Sequence, residues 1–312
     1  MTKTPLRIER AIVTGPTGAV GVALVGELLE HGVDVVAVCR PGSSRLDQVP
    51  QDDRVRIVEC AIDGYAQLSR LVGGHAQAFF HLAWDGTYGD SRQDFRLQES
   101  NIRYSLEAVE AASKLGCEVF VGAGSQSEYG PTAAALDPRK ACKPDNGYGA
   151  AKLSACAMTR ALCWKLGMRH QWCRIISMFG PGDGAHTLVS QVVDGLLRGE
   201  HVSCGPCDQL WDFVYSKDAA RAFYLVAERG ADGSVYNLAS GTLKPLRDYV
   251  EGIGALIGGK GSIGFNERPY YPNQVMRLEA DITNLMVDVG FRPEYSFEEG
   301  MRETIAWRRS RL

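Results

Sequence analysis

The segment Thr14-Gly15-Pro16-Thr17-Gly18-Ala19-Val20-Gly21 constrains the fold more than any other, because it separates two stretches of different period. Before it, Arg10-Ala-Ile-Val-Thr-Gly15 is a short apolar run closed by glycine. After it, Val20, Leu24, Leu28 and Leu29 recur at helical spacing between Ala19 and Glu30. A strand, a glycine turn and a helix in that order bring the unsatisfied N–H groups of a helix N-terminus to the carboxyl end of a strand. Gly15 permits the tight turn, Gly18 lets backbone approach a pyrophosphate, and Gly21 lets the helix pack closely. A dinucleotide cradled by Gly15, Thr17, Gly18, Ala19, Val20 and Gly21 is the expectation.

Four more short apolar runs follow, at Val33–Cys39, Val55–Glu59, Ala78–Leu82 and Cys117–Gly122, with helical patterns between most of them. None keeps a strict period of two, which predicts a parallel sheet covered on both faces: a Rossmann-like, doubly wound α/β fold. Beyond Asn146 the spacing predicts a helix over 149–166 and a strand over 172–176, and then Gly180-Pro-Gly-Asp-Gly184 marks a departure from the sheet. Helices expected over 188–198, 216–228 and 297–308 are too scattered for a second full core. The expected organisation is a dinucleotide-binding domain over 1–178 and a smaller substrate-binding lobe over 179–312, some of whose strands and helices return to the main domain.

With 312 residues, 45% of them apolar, the chain can bury such a core. Its net charge of -3, without blocks of like charge, gives no electrostatic pull towards nucleic acid or an anionic membrane. No apolar run is long enough to span a bilayer, and the first ten residues lack the apolar core of a signal peptide. A small-molecule substrate and a cytoplasmic location are expected. Nine irregularly spaced cysteines fit a reducing compartment. Cys204-Gly-Pro-Cys207 has dithiol spacing, but redox use asks for a first thiol activated at a helix N-terminus, and this pair leads instead into a strand-like stretch, Trp211–Tyr215. No second Cys or His pair completes a zinc site, so no metal is expected.

Tyr148-Gly-Ala-Ala-Lys152 puts a phenol and an ammonium on one helix face. A free phenol titrates too high to exchange protons at neutral pH, and a nearby cation can lower it. Lys152 can supply that charge while holding the cofactor ribose. A hydroxyl to polarise a carbonyl is available from Ser125 or Ser127, just past the fifth run, at the sheet edge where ligands of open α/β sheets bind. At the end of the second run stands Arg40, with Ser43 and Ser44 close behind. A guanidinium there can pair with a 2′-phosphate, which favours NADP, with NAD as the alternative.

These residues resemble the extended branch of the short-chain dehydrogenase/reductase family, which includes nucleotide-sugar epimerases, dehydratases and ketoreductases. Asp63, His81-Leu-Ala83, Asn101, Phe179-Gly-Pro-Gly-Asp183, Asp212-Phe-Val-Tyr215, Asp218, Ala280-Asp281, Gly290-Phe-Arg-Pro293 and Phe297-Glu-Glu-Gly300 extend the likeness over nearly the whole chain. The resemblance implies Ser125 as the carbonyl-polarising hydroxyl, Tyr148 as acid/base and Lys152 as its activator. It further implies Asp63, Leu82 and Ala83 along the cofactor, Trp84, Ser127 and Glu128 as substrate contacts, and a homodimer built on the helices after the fourth and fifth strands.

The family's sugar 4,6-dehydratases carry an Asp-Glu pair after the active-site hydroxyl; here Gln126 and Ser127 stand there, which argues against elimination. Reduction of a ketone and epimerisation through one remain, and Arg40 favours reduction. The leading expectation is an NADP-dependent 4-ketoreductase of a nucleotide-linked deoxysugar, the alternative an NAD-dependent nucleotide-sugar 4-epimerase. A cofactor-sensing module without turnover would have no use for an activated tyrosine. The resemblance also implies diphosphate-binding arginines where this chain has Trp211 and Tyr270 or Tyr271. Arg268 and Arg277 can substitute from nearby, and Trp211 can stack on a base.

Overall fold

A computed structural model describes residues 5–271 and 274–312. Six parallel strands, β1 (Arg10–Thr14), β2 (Asp34–Cys39), β3 (Val55–Glu59), β4 (Ala78–His81), β5 (Val119–Ser125) and β6 (Arg169–Ile175), are joined by a seventh at Val235–Leu238. Their order across the sheet is Val235–Leu238, β6, β5, β4, β1, β2, β3. The chain winds outward from β1 in one direction and from β4 in the other, so the order reverses between these neighbours and opens a crevice at their carboxyl ends. Ile12, Val13, Phe79, Phe80, Phe120 and Val121 are wholly buried in the middle of the sheet.

The strands of the first half follow their apolar runs closely, and the first helix spans Ala19–Glu30 as its periodicity requires. Three differences bear on the site. β5 runs on to Ser125, so that this serine is the strand's last residue rather than a loop residue past it. Gly122 and Gly124 carry it there: the Trp172 ring of β6 lies where a Cβ on either would stand. The helix expected over 149–166 spans Gly147–Lys165, because Asn146 caps it by accepting from the Gly149 N–H at 2.9 Å, and Tyr148 therefore lies in its first turn. The strand-like Trp211–Tyr215 is two short strands in separate sheets. Leu210–Trp211 pairs with Lys244–Pro245 and Arg277–Leu278, and Val214–Tyr215 with Met178–Phe179. Asp212 makes the break, its buried carboxylate accepting from Ser240 and Gly241 backbone N–H groups, each at 2.9 Å.

Two later segments pack on earlier elements. Ser216–Arg229 packs on Ala19–Glu30, and Val235–Leu238 pairs with β6. A separate apolar cluster, which includes Val192, Phe213, Tyr249, Ile253 and Met301, gathers segments that follow β6. Among the described residues no helix is long and apolar enough to cross a membrane.

Candidate active site

The crevice between β1 and β4 is built by three close contacts. Gly15 adopts φ +70°, and a Cβ there would meet the Ala83 backbone nitrogen at 2.9 Å, so the turn after β1 and the turn after β4 touch. Thr14 stitches them: its hydroxyl accepts from the Leu82 and Ala83 N–H groups at 3.2 and 3.3 Å and bonds His81 Nδ1 at 3.0 Å. A Cβ on Gly21 would strike the Gly15 carbonyl and Pro16, which is why the helix can begin so close to the turn. Gly18, at the helix N-cap, has only the Gly15 carbonyl within 4 Å of that position, at 3.7 Å, and no side chain caps its N–H groups.

These groups open onto a groove of about 440 Å³. Gly15, Thr17 and Gly18 line it from one side, Arg40 and Arg45 from the tip of β2, and Asp63, Leu82, Ala83 and Trp84 from beyond. Uncapped helix N–H groups beside glycine backbone, with cations at the far end, suit the pyrophosphate and adenosine of a dinucleotide. Ala19 and Val20 are buried at the start of the helix, behind the groove rather than on it. Ser43 is half-buried beside Arg40, its hydroxyl accepting from the Arg45 N–H at 3.4 Å.

Trp84 carries the groove to the reacting side chains. Its ring meets that of Tyr148 edge-on at 6.1 Å and receives the Lys152 ammonium on its face at 3.8 Å. Lys152 also donates to the Ala123 carbonyl at 2.7 Å. Burial raises the Tyr148 pKa, opposed by the neighbouring Ser125 hydroxyl and by the Arg92 charge. Burial pushes the Lys152 ammonium down to about 7, against the attraction of Glu128. Ser125, Tyr148 and Lys152 thus converge, on one strand end and one helix, at the carboxyl edge of the sheet.

Glu128 requires a correction. Taken from the sequence as a substrate contact, it is fully buried and engaged on every side by protein. Its carboxylate accepts from the Ser125 N–H at 2.8 Å, from Trp172 Nε1 at 2.9 Å and from Arg174 Nε at 2.7 Å. It is a strut that fixes the Ser125–Glu128 turn through a capping box. Ser127 is buried too, with Arg92 donating to its hydroxyl.

The lobe encloses a larger cavity of about 940 Å³, lined by Trp211, Arg268, Tyr270, Tyr271, Cys204 and Cys207 among others. Trp211 is held by donating to the Ser177 hydroxyl at 2.8 Å. Arg268 faces this cavity, whereas Arg277 is ion-paired with Glu279 at 2.6 Å. The Cys204 thiol is lowered to about 7 by the neighbouring Cys207 thiol, helped by Arg268, although no helix begins at the pair. The sequence reading tied thiol activation to a helix N-terminus and so did not foresee a neighbouring thiol in that role. Among the described residues no group of three or more His, Cys, Asp or Glu side chains is placed to hold a metal ion.

A parallel sheet that reverses order at a glycine-lined groove, with a tyrosine and a lysine at the groove's end, defines a nicotinamide-dinucleotide enzyme of α/β type. The chain belongs to the NAD dependent epimerase/dehydratase family, whose model it matches over residues 11–239. Solved structures agree in fold. The UDP-glucose 4-epimerase of Thermotoga maritima, solved with UDP-glucose, superposes with a TM-score of 0.87 at 24% identity, over 97% of this chain and 99% of that one. MoeE5, solved with UDP-glucuronic acid and NAD, gives 0.83 at 26% identity, over 97% and 100%. RMD from Pseudomonas aeruginosa, complexed with NADPH, gives 0.82 at 21% identity, over 97% and 100%.

Proposed function

We propose that the enzyme is an NADP-dependent ketoreductase acting at C4 of a nucleotide-linked deoxysugar. The observation that carries the choice is the tip of β2, where Cys39 is followed by Arg40, and Arg40 and Arg45 both face the groove. Two guanidinium groups there favour a 2′-phosphate, and a phosphorylated cofactor suits net reduction, in which it leaves after each turnover.

Bound in the groove, the dinucleotide supplies the hydride. Tyr148 gives its phenolic proton to the carbonyl oxygen as the carbinol forms, and the neighbouring Ser125 hydroxyl shares that oxygen. Lys152, one helical turn along, holds the cofactor ribose and offsets the charge left on the phenolate. The lobe cavity with Arg268 and Trp211 receives the nucleotide, the cation facing phosphate and the indole facing a base.

A second reading, nucleotide-sugar 4-epimerase with retained NAD, draws on MoeE5, which was solved with NAD and a UDP-sugar. One pair of assays separates the two. A nucleotide-linked 4-keto-6-deoxyhexose with NADPH should give stoichiometric cofactor oxidation and a single 4-hydroxy product, lost by about two orders of magnitude or more in kcat in Tyr148→Phe. Interconversion of UDP-glucose or UDP-N-acetylglucosamine with its 4-epimer, on catalytic NAD and without net oxidation, would replace the reductase reading with the epimerase one.

A further inference from the structure

We propose that Arg92 is a positioning residue for the proton donor: its guanidinium, stacked on the Tyr148 ring and tied to Ser127, is the permanent cation that favours the phenolate. The proposal rests on Tyr148 being the acid/base of the reading above and adds a second cation to it.

Arg92 belongs to the short helical turn Gly89–Gln93, after the β4 crossing and before the Phe95–Lys114 helix. Its guanidinium carbon lies 4.4 Å from the centre of the Tyr148 ring. One nitrogen donates to the Thr87 carbonyl at 3.3 Å and another to the Ser127 hydroxyl. All three partners are neutral, and among the described residues no carboxylate pairs with Arg92. The contacts therefore fix the position of the charge without cancelling it. Ionising the phenol spreads negative charge into the ring, so a cation over the ring face is held more strongly by phenolate than by phenol.

Lys152 stands farther from the Tyr148 ring than Arg92 does. Its ammonium is 5.9 Å from the Tyr148 ring centre, over Trp84 and bonded to Ala123. Buried as it is, it also gives up its proton near neutrality. A guanidinium keeps its charge throughout that range. The groups that face Tyr148 are Ser125 and Glu128 from the end of β5, Arg92 from the 89–93 turn, Trp84 from the end of β4 and Lys152 from its own helix. Of these, Glu128 opposes the phenolate, but its charge is paired with Arg174. Arg92 is the one constant, uncancelled charge among them.

The test reads the ionisation of residue 148 directly. Full-length protein carrying 3,5-difluorotyrosine at position 148 gives ¹⁹F signal from that residue alone, and fluorination brings the phenol into an accessible pH range. With and without NADP⁺, Arg92→Met should move the titration midpoint up by about one pH unit or more, the scale of losing a cation within 4–6 Å. Arg92→Gln, which keeps a donor for Ser127 without the charge, should match Arg92→Met, and Arg92→Lys should recover part of the change. An unmoved midpoint in Arg92→Met and Arg92→Gln would overturn the proposal, as would recovery by Gln as complete as by Lys. The titration needs no sugar substrate, so a failed ketoreductase assay leaves it standing, and a failed titration leaves the reductase reading standing.

Discussion

The Lys152 ammonium rests 3.8 Å from the centre of the Trp84 ring, at the inner end of the groove. The lysine proposed to hold the cofactor ribose is thereby stored against an indole face and the Ala123 carbonyl. Burial, partly offset by Glu128, brings its pKa down to about 7, so the charged form is present below that value and lost above it. Dinucleotide affinity should accordingly fall as pH rises through about 7, measured by fluorescence titration of NADPH. Lys152→Met should bind weakly with little pH dependence across the same range. A wild-type affinity that stayed flat across that range would show that the ammonium does not hold the cofactor.

Cofactor choice is expected to lie at Arg40 and Arg45. Removing either strands part of a dianionic 2′-phosphate, at a cost of about 1.5–3 kcal/mol for a hydrogen bond to a charged group. Arg40→Ala should raise KM for NADPH by roughly tenfold or more while moving KM for NADH little. Because both guanidinium groups are exposed, the double variant Arg40→Ala/Arg45→Ala should lose the preference and much of its salt dependence. Equal effects on both cofactors would remove the case for NADP.

The sequence revealed the groove more fully than the reaction centre, for physical reasons. Gly15, Gly18 and Gly21 act through local backbone, so a strand–turn–helix pattern is enough to place them. Tyr148 and Lys152 share a helix face, and their spacing alone brings them together. Arg92 has no such local partner. It reaches Tyr148 and Ser127 only because the 89–93 turn folds over the start of the Gly147–Lys165 helix. Glu128 was misread because the resemblance pointed it at substrate, whereas Trp172 and Arg174, more than forty residues away, draw its carboxylate inward. The Val235–Leu238 strand escaped notice because Asn237 interrupts its apolar run. That side chain is wholly buried, accepting from Tyr129 at 2.6 Å and donating to the Leu136 carbonyl at 2.7 Å.

Acid should loosen the sheet through two buried histidines. His81, between Thr14 and Ser105, and His170, against Thr159, are both held neutral by burial, with pKa values lowered to about 3. The unfolded chain takes up these protons near 6.5. Their contribution is therefore complete above that pH and declines as pH falls towards about 3, by up to about 1.4 kcal/mol per pH unit for each histidine. Urea unfolding followed over this window should give a shallower slope in His170→Asn than in wild type. An identical slope would mean that His170 is already protonated in the folded protein.

Cys204 should be the most reactive thiol of the nine at neutral pH. Burial raises seven of the others, and Cys207 is raised by its Cys204 neighbour and then by burial, while Cys207 and the Arg268 charge hold Cys204 at about 7. Cys204 is almost wholly buried from bulk solvent, but it lines the 940 Å³ lobe cavity, which gives a small reagent its path. Iodoacetamide labelling, mapped by peptide mass, should mark Cys204 first with a rate that rises through about pH 7. Cys207→Ala removes the neighbouring thiol and should shift that rise to the ordinary thiol range near about 8.5. Because Arg268 and Trp211 line the same cavity, a nucleotide sugar seated there should slow the labelling in proportion to its occupancy. Labelling that a nucleotide sugar left unchanged, at a concentration saturating turnover, would place the substrate outside the lobe cavity and withdraw Arg268 and Trp211 from its recognition.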